Sequence, residues 1–193
     1  MKSNFVVWTN KVMPDACSLY ELIGVEKQYQ LRKGISRSSS FSDNAAFAMH
    51  PDRPNDTILT DNLFNISLLI VGSIRLRTFL EKQCVPRVDY LPVTILNHKS
   101  KPVSSDYSII NPLEPIDCID LEKSEARMDS MDKSTIEGVS RLVIDESKIE
   151  QGRVLFRPKR FYWVILVHRR LAEAIDGQGF TGVRWVELDA FSR

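Results

Sequence analysis

The sequence predicts an α+β fold: one domain, a mixed β-sheet with a few helices packed against it. Three observations point there. Segments of strand composition outnumber those with helical spacing. Two segments, about 67–96 and 161–188, each read strand–helix–strand. No stretch changes composition sharply enough to divide the 193 residues into two domains. Within that single domain, residues 1–60 are a strand and loop-rich opening, and residues 61–193 form the α+β body.

"NFVVWTN" is the first strand, rich in β-branched and aromatic residues. "SLYELIGVEKQYQLRKG" is expected to open as a short helix or turn. Ser36 to Asp56 clusters Ser, Asp, Asn and Pro and reads as a mobile surface loop. Gly34 beside it is no phosphate cradle by itself. "SLLIV" (67–71) is a short apolar strand. After it, Ile74, Leu76, Phe79 and Leu80 recur at helical spacing, with Ser73 placed to cap the helix. "RVDYLPVTIL" (87–96) is the next strand. "DYSIIN" and "PIDCIDL" read as strands able to pair, the second with Asp117 and Ile119 on one face and Cys118 and Asp120 on the other. "GVSRLVIDESKI" (138–149) has a continuous apolar centre, and "VLF" is strand-like. "FYWVILV" (161–167) is a strand, and "HRRLAEAIDGQ" a helix opened by His168 and stopped near Gly177 or Gly179. "GVRWVEL" (182–188) closes the series.

The two strand–helix–strand units superimpose without a gap at an offset of 95 residues. Ile70 falls on Ile165, Arg75 on Arg170, Leu76 on Leu171, Leu80 on Ile175, Val88 on Val183 and Tyr90 on Trp185. Each connection is long enough for a right-handed parallel crossover. Duplication explains the match, and so does the general likeness of such units.

With 43% hydrophobic and 26% charged residues, the composition is that of an average soluble globular protein. A net charge of +1 gives no whole-molecule attraction to nucleic acid or membrane. The first residues lack the apolar stretch of a secretory signal, and no apolar run approaches the roughly 20 residues that span a bilayer. Cys17, Cys84 and Cys118 stand far apart with no CxxC pair, as suits reduced thiols. A cytoplasmic location is expected.

Chemistry-bearing motifs are sparse. Of His50, His98 and His168, only His98 follows a strand in the manner of an active-site group, with Asp106 as its nearest plausible partner. No serine sits in a G-x-S-x-G elbow. No zinc spacing or EF-hand loop occurs, and "GQGFTG" follows a helix where a dinucleotide loop would precede one. No cofactor is expected.

Charge distribution says more than net charge. From Glu114 to Asp132, seven carboxylates stand against Lys123 and Arg127. From Arg153 to Arg170 there are six Lys or Arg residues and no carboxylate. Both runs suit solvated faces, and the acidic one also suits an encounter with a basic protein.

Several blocks carry a family resemblance: "YLPVTILNHKSKPVSSDYSIINPLEPIDCIDLEKSE", "VSRLVIDESKI", "LFRPKR" and "VILVHRRLAEAIDGQGFTGVRWVEL". In this order, from about Asp61 to Leu188, they resemble the myxobacterial-type immunity proteins of bacterial polymorphic toxin systems. The resemblance implies a small intracellular antitoxin. Such a protein binds the C-terminal domain of a secreted or contact-delivered toxin, often a nuclease, delivered by a machine of the type VI kind. It implies no catalytic residue. Asp117, Asp120 and Ser124 stand either as fold determinants or as binding residues.

On that reading the carboxylates mimic phosphate toward a basic nuclease cleft. Asp117, Asp120, Glu122, Glu125, Asp129 and Asp132 are the candidate toxin-binding residues. Direct contact with nucleic acid or membrane is not expected. Two other readings are an enzyme that reverses a toxin's modification, using His98 and Asp106, and a self-associating scaffold joined through strand edges.

Overall fold

The computed structural model describes residues 2–193. In chain order its elements are β1 (Phe5–Asn10), β2 (Ser18–Ile23), α1 (Tyr29–Arg32), β3 (Ala46–Met49), β4 (Asn62–Asn65) and β5 (Ile70–Ser73). Next come α2 (Ile74–Lys82), β6 (Val88–Leu96), β7 (Pro102–Pro112), β8 (Arg127–Met128), β9 (Ile136–Gly138) and β10 (Leu155–Phe156). The chain finishes with β11 (Leu166–His168), α3 (Arg169–Asp176) and β12 (Val183–Glu187). Strands dominate and form a mixed sheet in a single domain, as the α+β reading has it.

Six strands, in the order β2-β3-β6-β7-β5-β4, close into a barrel, parallel at β2–β4 and β3–β6 and antiparallel elsewhere. Strand alternation fills its interior. On β6, Leu91, Val93 and Ile95 point in and meet Leu19, Phe47, Leu63, Val71 and Ile109. Pro92 interrupts β6 without cost because β3 pairs with it only from Thr94 onward, leaving that edge free of a bond to donate. Closure removes the barrel's sheet edges.

A second sheet runs in the order β10-β11-β1-β12, antiparallel throughout. Its central strand is buried on both faces, which is why "FVVW" reads as one apolar run. Val6 and Trp8 face α2, α3 and the barrel's outer residues Ile70 and Ile110. Phe5 and Val7 face the opposite way, under residues 116–149 and Phe161. The helices therefore fill the layer between barrel and sheet, with Leu76, Leu80, Leu171 and Ile175 buried in one cluster. Both are capped by the preceding residue: Ser73 Oγ accepts the Leu76 N–H at 3.2 Å, and His168 Nδ1 accepts the Arg170 N–H at 3.2 Å.

The two strand–helix–strand units correspond element by element at the 95-residue offset. In each, the flanking strands are parallel but not neighbours. β7 lies antiparallel between β5 and β6, and β1 lies antiparallel between β11 and β12. Other local readings are corrected. Residues 18–23 are a strand, followed by one short helical turn at 29–32. The Ser/Asp/Pro-rich stretch contains β3, whose Phe47 is wholly buried. Only the end of "FYWVILV" is strand.

The turn before β12 locks the layers together. Asp61 accepts Arg75 Nη2 at 2.8 Å, Ser73 Oγ at 2.8 Å, and both the N–H and hydroxyl of Thr181 at 2.9 Å. Gly182 has φ +79°, and a Cβ there would lie 2.2 Å from the Asn62 carbonyl oxygen, so only glycine fits this approach.

Candidate protein-binding surface

Beyond Pro112 the chain runs with little regular structure to Leu155, draped over the outer face of the four-stranded sheet. Cys118, Ile119, Ile136, Val139 and Leu142 anchor it by burial against Phe5, Val7, Phe156 and Leu166. "PIDCIDL" does not pair with β7, and its alternation breaks, since Cys118 and Ile119 are both buried. Its main chain bonds elsewhere. The Asp145 N–H donates to the Cys118 carbonyl at 2.7 Å, and the Asp120 N–H to the Val143 carbonyl at 3.0 Å. Ser124, wholly buried, staples the two limbs: its Oγ donates to the Val143 carbonyl at 3.1 Å and accepts the Val143 N–H at 3.0 Å.

The basic run holds this acidic segment in place. Buried Arg153 donates Nη2 to the carbonyls of Leu113 and Glu114, both at 2.9 Å. The Ile116 N–H donates to the Arg157 carbonyl at 3.0 Å, the Lys159 N–H to the Ile116 carbonyl at 2.7 Å, and Arg160 faces Asp117 at 3.4 Å. Arg157 is fully buried, and its Nη1 donates to the Tyr162 carbonyl at 2.9 Å. Burial, then the Arg32 charge, pushes its guanidinium down to about 9. Arg169 is paired with Glu187. Ion pairs join the two charge runs at Arg153–Glu114, 3.9 Å, and Arg160–Asp117, 3.4 Å.

The six predicted carboxylates divide by what they already hold. Asp117 pairs with Arg160. Asp120 accepts the Lys123 N–H and pairs with Lys123 Nζ, each at 3.0 Å. Asp129 accepts the N–H groups of Met131 and Asp132, at 2.8 and 2.9 Å. Asp132 accepts the Ser134 N–H and hydroxyl and the Thr135 hydroxyl, building the tip of the β8–β9 hairpin. Glu122 and Glu125 are exposed and have no ion pair or side-chain hydrogen bond among the described residues. Main-chain donation from Lys123 and from Asp132 lowers the pKa of Asp120 and Asp129, and the Ser134 side chain does so for Asp132. Asp145, not among the predicted residues, lies close enough to Asp120 for their charges to oppose. Met131 stands at the hairpin tip, 95% exposed.

The histidines serve local structure. His98 Nε2 lies 3.1 Å from the His50 carbonyl oxygen, His50 Nδ1 accepts the Asp52 N–H at 3.3 Å, and His168 caps α3. No hydrogen bond or ion pair joins His98 to Asp106 among the described residues, and none of their His, Cys, Asp and Glu side chains gather in threes to hold a metal ion. No described helix is long and apolar enough to cross a membrane.

Comparison with protein families matches residues 9–190 to the immunity protein family Imm11. No curated protein matches the chain.

Proposed function

Since the chain belongs to the Imm11 immunity protein family over nearly its whole length, we propose that it neutralises one cognate toxin by forming a stoichiometric complex in the cytoplasm of the cell that makes both. The family match over residues 9–190 carries this reading. The toxin we infer is a secreted or contact-delivered nuclease domain, whose cleft is basic because it must hold phosphates. Carboxylates on residues 117–132 complement such a cleft.

The six carboxylates play different parts in this reading. Asp117, Asp120, Asp129 and Asp132 shape and charge the face while satisfying local donors. Glu122 and Glu125 are free to reach a partner's Arg or Lys.

Titrating the toxin domain encoded beside this chain against its nuclease activity tests the proposal. Inhibition should be complete at one equivalent and linear below it. Full protection at a few hundredths of an equivalent would instead reveal turnover. Glu122→Lys with Glu125→Lys should weaken binding about tenfold at low salt, and less as salt rises. Unchanged affinity would remove this face from the interface.

A further inference from the structure

A trough runs along the seam between barrel and four-stranded sheet. Its larger part, about 260 Å³, is walled by Leu69, Ile70, Ile165 and Phe191. Its smaller part, about 180 Å³, is walled by Met13, Ala16 and Cys17. Val12 and Phe64 line both parts, exposed by 89% and 43%.

Polar groups with no partner concentrate here. Trp8 Nε1, Asn10 Nδ2 and Asn62 Oδ1 belong to residues lining the larger part, and Ser18 Oγ to one lining the smaller. None of these buried atoms makes a hydrogen bond among the described residues. Trp8, Asn62 and Ser18 are each more than nine-tenths buried. Native proteins rarely leave such groups unpaired. These atoms lie beneath the trough's surface, so what the trough itself presents to an occupant is its apolar walls.

Charge selects the occupant further. Lys11 and Arg193 line the trough with no side-chain carboxylate partner among the described residues, and Asp56, which also lines it, is paired with Arg53 at 3.8 Å. An occupant with acidic side chains flanking apolar ones satisfies that balance. One residue links the trough to the tip of the acidic face. Trp163 lines the trough and also lines a second hollow bounded by Asp132 and Thr135. Arg32 lies over the Trp163 ring at 4.4 Å and Arg193 at 5.4 Å. Tryptophan and arginine in half-buried pockets are the residues that dominate binding energy at protein interfaces.

We propose that this trough is the centre of the toxin interface and takes an apolar–acidic segment of the toxin. The proposal rests on the immunity reading above.

The experiment compares wild-type chain with Val12→Glu and with Phe64→Asp, titrated by calorimetry into the catalytically silenced toxin domain encoded beside it. Far-UV dichroism and thermal unfolding serve as fold controls. Each variant should keep its fold and bind at least about 30-fold more weakly. Wild-type affinity in both folded variants overturns the trough while leaving the immunity reading intact. Absence of binding by the wild type itself overturns both. If Phe64→Asp fails to fold, Val12→Glu decides alone, because Val12 projects into solvent. A photo-crosslinker at position 12 should trap the toxin domain. Trapping only a second copy of this chain would assign the trough to self-association and overturn the proposal.

Discussion

Asp61 does more for this fold than any other single carboxylate. It joins the start of β4 to the cap of α2, to Arg75 and to the turn before β12. Burial alone would raise its pKa, but hydrogen bonds from Arg75, Thr181 and Ser73 outweigh it and hold the carboxyl well below its usual range. Glu187, facing Arg169 and Lys2, is drawn down to about 2. A carboxylate depressed in the native state contributes stability above its unfolded pKa near ~4 and loses it as pH falls through the native value. Stability should therefore be flat above about pH 5 and fall between about pH 4 and 2. Asp61→Asn should lower the plateau and flatten much of the acid slope. Urea midpoints measured at intervals from pH 2.5 to 7 check this, and an undiminished slope in Asp61→Asn would refute it. Arg157 is the opposite case, a guanidinium enclosed without a carboxylate, with Nε and Nη2 unpartnered. That arrangement weakens the charge and carries a stability cost.

At the scale of elements, the β8–β9 hairpin shows how local function and binding function separate. Asp132 makes its turn, whereas Glu122 makes no side-chain bond among the described residues. Asp132→Ala should speed amide exchange at Ser134, whose N–H its carboxylate accepts, by about fivefold or more, while Glu122→Ala should leave exchange there unchanged. Equal effects would show that the tip is not held by Asp132. In the sequence, Asp132 groups with Glu122 as a candidate binder, although an Asp followed two and three residues later by Ser and Thr has the spacing of a turn that bonds its own main chain. The helices and their caps were legible, because Ser73 and His168 directly precede periodic apolar residues. Other features were not. Periodicity tells which face of a strand is buried but not which strand lies beside it, so nothing in β5 or β6 announced that β7 runs between them. β3 was hidden because a four-residue strand carries little signal among Ser, Asp and Pro. Arg153 and Arg157 read as surface charge, since no linear pattern says which distant carbonyls a guanidinium will reach. The trough escaped for the same reason. Its polar atoms come from β1, β2 and β4, and each looks ordinary in its own segment.

Over the whole molecule, three apolar clusters share walls. Ile70 and Ile110 carry the barrel into the helical layer, and β1 divides that layer from the draped segment. Such sharing makes separate melting of barrel and sheet unfavourable. Thermal unfolding should show one transition, with tryptophan emission and far-UV dichroism coinciding. Trp8, Trp163 and Trp185 all belong to the sheet or its margin, so a barrel that melted alone would split the two signals. The position of β1 has one more consequence, and it concerns time. This strand leaves the ribosome more than 150 residues ahead of both its neighbours, β11 and β12. At about 5–20 residues per second, the gap amounts to roughly ten to thirty seconds of translation. Throughout it, "FVVW" has no sheet to enter, and the seam that β1 lines does not yet exist. On the immunity reading, no copy can offer that seam to a toxin until β11 and β12 have followed β1 out of the ribosome.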